Sequence, residues 1–500
     1  MNIVIGDDSG ETDSSTINME NLLPEQDACS IDAVEQAMLS INRQAIKEAV
    51  AKHLETVSKN KAQSIRDENG GIIEENVQVY RVDGEIGRIT FKTHRVRLNG
   101  KVVFDTSKHI FRILGGTEWY RTEGFNEIAF GLAIDMSLRK AGKMLNRVRG
   151  EVVNGTPIRT LANLVEIEGR EIQEDIDRLS AATLKDNGFT VEGKLIDDDR
   201  EYGIELGSVL IPKPSVIGAI EEYNEGRKDS EKIDVDWADK VYEEGDKAVN
   251  ISLDEVGVNK QKETGRSAAK EKKEQREYVE NTVGHVEHSG RRYILTARSI
   301  VAIIPLIVAF LFHNGLLRHR IQFFVDGARN LQNAILRRFS WLKSYGMILD
   351  WYHLRKKCKL ELSLVMRNSE LRNSILTQIL PLLWLGKIDA AIKVLRNVNM
   401  NHRKTGRTTE KLVGYFERNR KYIPCYALRK KLGLRNSSNK GEKANDLAVS
   451  NRQKHNGMSW STEGSPALAT ITALHLNNEE KNWYRHNRVT FKLLRDEEAA

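Results

Sequence analysis

The sequence predicts an α/β protein: one mixed sheet carrying an all-helical insertion, preceded by a mainly helical N-terminal region with a small β-meander and a helix-turn-helix. Three observations predict it. Apolar residues recur at helical spacing over 31–57, 124–150 and 156–168, whereas 76–105 and 248–297 hold short β-branched or alternating runs. After residue 297 the order is helix, strand, helix, strand, and antiparallel strands followed by that alternation make one mixed sheet. From 351 to 440 the pattern is helical and strongly basic.

Each element has a local reason. Residues 1–30 are acidic, rich in Ser and Thr and aperiodic, which predicts a disordered tail. Helix formers at helical spacing fill 31–57. In 76–105, alternation around Asp83-Gly84 and Asn99-Gly100 predicts β-hairpins. Helical periodicity returns over 124–150, and then Thr156 suits an N-cap and Pro157 the first helical position. Two helices over 124–168 make a helix-turn-helix with Arg159, Thr160 and Asn163 on the outer face of the second; two ordinary core helices fit the spacing equally well. The next stretch, "REIQEDIDRL", is too acidic to lie on DNA, so any recognition helix is 156–168.

A polar passage, "EEYNEGRKDSEKIDVDWADKVYEEGDK", sets the main boundary near residue 240 and separates region 31–240 from region 241–500. In the latter, strands are expected at "AVNISLDEVGV", "REYVENTVGHVEH", "RRYILTA", "RIQFFVDG" and "GMILDWYHL". Between the third and fourth lies the longest apolar tract, "SIVAIIPLIVAFLFHNG". It contains Pro305, and its continuous apolar run of about 14 residues falls short of the roughly 20 a spanning helix needs. It therefore reads as a core helix, with no membrane partner.

Composition narrows the function. The 500 residues, 40% of them apolar, suffice for two or three domains with proper cores. Cys29, Cys358 and Cys425 form no CxxC pair, which points to a reducing compartment and excludes a zinc ribbon. With no basic flank followed by an apolar run at the N-terminus, a cytoplasmic, nucleoid-associated protein is expected. The net charge of +7 is unevenly spread: 351–440 holds 21 Lys and Arg against 5 Asp and Glu, a surplus of 16. Arg355, Lys356, Lys357, Arg403, Lys404 and Arg407 lie in runs suited to neutralising a phosphate backbone, although a solvated basic face explains the charge equally well.

The chemistry centres on carboxylates. Asp254 and Asp326 sit at apolar strand positions, and the carboxyl ends of parallel neighbours lie side by side, where ligands collect in open α/β sheets. Two such carboxylates repel unless a hard divalent cation lies between them. Taken alone, Asp326 before Gly-Ala-Arg reads first as an N-cap. Two-metal phosphoryl transfer generally wants a further carboxylate, and the helix expected after "NSSNK" offers Glu442 and, one turn on, Asp446, with Asn445 and Val449 on the same side.

At "SLDEVGVNKQK", "FFVDGARNLQNAI", "ILDWYHL" and "GEKANDLAVSNRQKHNGMSWSTEGSPALATITALHLN", the chain resembles prokaryotic insertion-sequence transposases with an RNase H-like DDE core, of the broad Mutator-like kind. The resemblance covers approximately 245–485. It implies an RNase H-like sheet in which Asp254, Asp326 and Glu442 bind two Mg²⁺ or Mn²⁺ ions, and it favours Glu442 over Asp446. "DWYH" is similar to the C/D-x-x-H signature of such enzymes, which places Asp350 and His353 beside the site. The basic block 351–440 becomes an insertion before the Glu-bearing helix. "NKGE" departs from the family by lacking apolar residues before the glutamate. The implied activity is metal-dependent strand cleavage and strand transfer on double-stranded DNA, at transposon ends and target, by a homodimer or larger assembly. A non-catalytic DNA-binding protein, a decayed copy and another RNase H-like nuclease are the rivals.

Overall fold

The computed structural model describes residues 2–6, 12–16, 31–75, 79–114, 119–151, 155–196, 210–245, 247–261, 277–342, 345–454 and 458–495. Two compact units result, one of residues 1–166 with 484–486 and the other of 167–483 with 487–500.

In the first unit, the N-terminal segment expected as a disordered tail holds an antiparallel hairpin, β1 (Asn2–Gly6) with β2 (Thr12–Thr16). The β-branched run Ile3-Val4-Ile5 overrides the polar composition there; positions 17–30 lie outside the described residues. Helix α1 (Ile31–Asn69) runs past the expected end at residue 57. Ala45, Ala49, Ser58 and Ala62 are among its buried residues. The expected meander is two three-stranded sheets. One orders β3 (Ile72–Glu74), β6 (Arg95–Leu98) and β7 (Lys101–Asp105) as 3-6-7. The other orders β5 (Gly87–Lys92), β4 (Val79–Gly84) and β8 (Trp119–Arg121) as 5-4-8. Asn99-Gly100 makes the β6–β7 turn, both residues at positive φ as a type I′ turn requires. The β4–β5 turn falls at Glu85-Ile86, just past the expected Asp83-Gly84. Leu54, Tyr80, Val82, Ile89, Phe91, Ile110 and Phe111 form the core beneath, the last two from α2 (Thr106–Leu114).

The single helix expected over 124–150 is two, α3 (Glu123–Asp135) and α4 (Leu138–Val148), because Ser137 caps the second by accepting the Lys140 N–H at 3.4 Å. A nine-residue connection, 149–157, then leads to α5 (Ile158–Asp186), longer than the three or four residues of a tight helix-turn-helix. The Thr156 hydroxyl accepts from the Arg149 guanidinium at 3.0 Å and is no cap. Pro157 instead lends its carbonyl to Leu161 at 3.0 Å.

The division between the units falls within α5, after Glu166, and not near residue 240 as the polar passage suggested. The reason is packing. Glu168 accepts the Trp483 indole N–H at 2.6 Å, Asp175 accepts the Val489 N–H at 2.8 Å, and Phe189 packs edge-on against Trp341, so 167–240 belongs with the C-terminal part of the chain.

The second unit is a mixed α/β body. After α6 (Lys213–Asn224) come β9 (Val249–Asn259), β10 (Tyr278–His288), β11 (Arg291–Ala297), α7 (Ile300–His313), β12 (Ile321–Val325), α8 (Arg329–Arg338) and β13 (Tyr345–Leu349). With the short β14 (Leu494–Arg495), the sheet order is 13-12-9-10-11-14. Strands β9, β10 and β11 are antiparallel, whereas β12 runs parallel to both β9 and β13. The apolar tract is α7, a core helix with Ile303, Ile304 and 306–311 buried. No helix among the described residues is long and apolar enough to cross a membrane. The basic block folds as α9 (Trp351–Val365), α10 (Ser369–Trp384), α11 (Ile388–Arg396), α12 (Glu410–Asn419) and α13 (Tyr426–Lys431). Then come α14 (Asn439–Asn445), a π-helical stretch Asp446–Lys454, and α15 (Gly464–Leu476), which is bonded to the sheet through Thr470–Thr296 and Asn477–Ile294.

Candidate functional site

The site forms where the parallel pairing of β9 and β12 stops. Phe324 pairs with Ser252 as the last couple, and the same register continued by two residues sets Asp326 beside Asp254. Parallel neighbours are spaced at ~5 Å, so the two aspartates follow directly on a pair of strands that hydrogen bonding has fixed up to Ser252 and Phe324.

The chain from 435 to 445 is laid along β9 and its antiparallel neighbour β10. Glu287, opposite Asn250 on β10, is buried and accepts from Lys440 at 2.7 Å and from the Arg435 guanidinium. Burial alone would raise its carboxyl, but those two cations outweigh it and hold Glu287 below the usual range. Next door, burial pushes His285 down to about 4, so it is neutral near pH 7. Gly441 then lies on Ser252 so closely that a Cβ would overlap the serine's own. The Asn445 amide donates to the Asp254 carboxylate. Glu442 stands one turn before Asn445 and therefore on the same side of α14. Close approach explains why "NKGE" has glycine where an apolar residue was expected. Gly441→Ala is expected to lower the stability of this unit by about 1–3 kcal/mol, read as a shifted denaturant midpoint at unchanged slope.

Asp350 and His353 tie the end of β13 to the same place. Asp350 is fully buried and caps α9, accepting the His353 N–H at 2.8 Å. Its other oxygen accepts the Ser438 hydroxyl at 3.0 Å and the Ser438 N–H. With both oxygens used, Asp350 is a fastener between two chain segments. The His353 imidazole reaches Glu442 Oε1 at 2.8 Å.

Asp326 is exposed and accepts the Ala328 N–H at 2.8 Å, making a turn and not a helix cap, since the N-cap of α8 is Ala328. Behind it, Tyr415 donates to the Asp326 carbonyl at 3.3 Å and is raised by burial and by the Asp326 charge. Glu255 is raised by burial, opposed by the 2.8 Å bond from Asn330, with the charges of Glu280, Asp326 and Asp254 adding to the rise. Glu255 thus lies in the field of both aspartates. Asp446 is exposed at the start of the π-helical stretch. Wide helical turns of this kind often mark functional places. Trp384 and Tyr415, considered as base-stacking residues, are used internally: Trp384 stacks on Tyr426 at 5.7 Å, and Tyr415 is buried.

The basic residues separate into two groups. Lys357 pairs with Glu361 at 2.9 Å, Arg403 donates to the Val398 carbonyl at 2.6 Å, and Lys404 donates to the Ser363 carbonyl at 2.9 Å, so these three brace the insertion. Arg355, Lys356 and Arg407 are exposed, as are Arg159 and Asn163 in the first unit. Sequence reasoning missed the Asn445–Asp254 and Glu287–Lys440 contacts, which join residues more than 150 positions apart. The glycine inside the helical pattern at 441 was the available signal of a close approach.

Comparison with protein-family models, with curated proteins and with solved structures finds no match to this chain.

Proposed function

We propose that the second unit is the RNase H-like catalytic core of a DDE transposase, which cuts DNA at the ends of a mobile element and joins them elsewhere by metal-dependent phosphoryl transfer. The observation that carries this reading is the β9–β12 register, whose continuation past Ser252 and Phe324 leads to Asp254 and Asp326, while Gly441 and Asn445 bind the Glu442 helix to β9. Three antiparallel strands followed by two parallel ones, with a helix crossing between, supply the matching frame.

Asp254, Asp326 and Glu442 offer hard oxygen donors suited to Mg²⁺ or Mn²⁺. In their present rotamers no group of three His, Cys, Asp or Glu among the described residues is gathered as a metal cluster. Asn445 donates to Asp254, and His353 is bonded to Glu442. In this reading the Asp254 and Glu442 side chains turn away from those partners to take the ions. Two such ions, when bound, supply an activated water or an oriented 3′-hydroxyl and stabilise the leaving oxygen of an in-line displacement. In this reading Asn445 and His353 position the carboxylates, Asp350 fixes His353, and Arg355, Lys356 and Arg407 hold the phosphate backbone.

The test is incubation of the purified chain with linear DNA carrying candidate element ends and Mn²⁺, followed by mapping of the cuts. Cuts at the element ends and joined products are expected. Binding without cutting would overturn the reading in favour of a non-catalytic DNA-binding protein, and a preference for RNA–DNA hybrids or branched DNA would favour another nuclease chemistry.

A further inference from the structure

Helix α4, outside the carboxylate site, carries no acidic residue in its sequence "LRKAGKMLNRV". Its apolar side is already used: Ala141, Gly142 and Leu145 are buried, and the Gly142 Cβ position lies 3.7 Å from Ile158 of α5. Asn146 locks the pair, donating to the Thr156 carbonyl at 3.2 Å and accepting the Thr156 N–H at 2.7 Å. Arg149 adds a bond to the Thr156 hydroxyl. What α4 turns outward is Arg139, Lys140, Lys143 and Arg147, all exposed and none in an ion pair among the described residues. Arg139, Lys143 and Arg147 repeat every fourth residue, about 6 Å apart along the axis, and so form one row.

A row of unpaired cations on a braced helix is costly in self-repulsion unless an extended anion neutralises it. We infer that α4 is a phosphate-backbone contact for duplex nucleic acid, gripping one strand while the exposed Arg159 and Asn163 at the start of α5 face the bases. This deepens, and rests on, the reading of the chain as a DNA-acting protein. It moves the main electrostatic contact of the first unit to the helix before the one expected from sequence. A membrane surface is the poorer partner, because the main apolar side of α4 is spent on α5; of its outward apolar residues, Met144 and Val148 are each about two-fifths exposed.

The experiment measures binding of the full chain to a duplex of arbitrary sequence across salt concentrations, for the wild type and for Arg139→Gln/Lys140→Gln/Lys143→Gln/Arg147→Gln. Each neutralised phosphate contributes a slope of about 0.9 in log affinity against log salt, so the variant slope is expected to be shallower by roughly 3–4. Between about 50 and 200 mM salt the wild type should then lose roughly 100-fold more affinity than the variant. A charge-preserving variant, Arg139→Lys/Lys140→Arg/Lys143→Arg/Arg147→Lys, should keep the wild-type slope, which separates lost charge from lost folding. An unchanged slope in the Gln variant, or an altered one in the charge-preserving variant, overturns the inference. So does wild-type binding to anionic phosphatidylserine vesicles that exceeds duplex binding and vanishes in the Gln variant. Asp254→Asn should leave the slope untouched, so failure of the carboxylate reading and failure of this one remain distinguishable.

Discussion

Replacing Asp254 or Asp326 by Asn is expected to abolish metal-dependent strand cleavage while leaving duplex binding within a few-fold of wild type. The change is nearly isosteric and removes one negative charge from a pair that lies two residues beyond the last β9–β12 couple, Ser252 and Phe324. A metal ion contributes several kcal/mol of transition-state charge stabilisation, and each 1.4 kcal/mol is about tenfold in rate, so a loss of roughly 10³-fold or more is expected. Binding should survive because the exposed cations, Arg355, Lys356 and Arg407 among them, are untouched. Folding should survive as well, since removing like charge from neighbouring strand ends relieves repulsion. The measurements are single-turnover cleavage with Mg²⁺ or Mn²⁺ and a parallel binding isotherm. Metal-dependent nicking retained in both variants refutes the assignment.

How far these residues were legible in the sequence depends on what each one needs. The strands of the second unit hold runs such as "IQFFV" and "NISL", where β-branched and aromatic residues leave little choice of conformation, and helices stand between β11, β12 and β13. Asp254 and Asp326 stood out because charge at the end of an apolar strand needs a partner. Their adjacency needed the register, which only the folded sheet supplies. The role of Asp350 was hidden, since its partner Ser438 lies 88 positions away. A similar distance in sequence concealed the His353–Glu442 bond. The polar passage 221–247 looked like a linker, but composition reports exposure and not which body a segment packs on. Glu168, Asp175 and Phe189 attach 167–240 to the second unit through side chains that no local pattern reveals. The split between α3 and α4 was readable in principle, because Ser137 is a good cap that the surrounding periodicity masked.

Arg149→Met is expected to destabilise the first unit by about 3 kcal/mol, at the lower end of the range for breaking a buried pair. Arg149 is fully buried, and its guanidinium donates to Asp83 at 2.8 Å, to the Gly84 carbonyl at 2.9 Å and to Thr156 at 3.0 Å, lies 3.1 Å from Glu151, and stacks over Phe125 at 4.7 Å. One side chain thus joins the β4–β5 hairpin to the connection between α4 and α5. Removing it leaves the Asp83 carboxylate buried, with Arg88 at 3.3 Å and Arg81 at 3.8 Å as weaker substitutes, which is why the lower figure applies. The loss should appear as roughly 100-fold faster hydrogen exchange of the β4 and β5 amides, with the sheet of the second unit unaffected. Asp83→Leu/Arg149→Met should recover part of that protection, because replacing both members of a buried ion pair by apolar groups removes the uncompensated charge that the single change leaves behind. If the double variant were no better protected than the single one, the bonds to Gly84 and Thr156, and not the charge pair, would be what holds the hairpin to the helices.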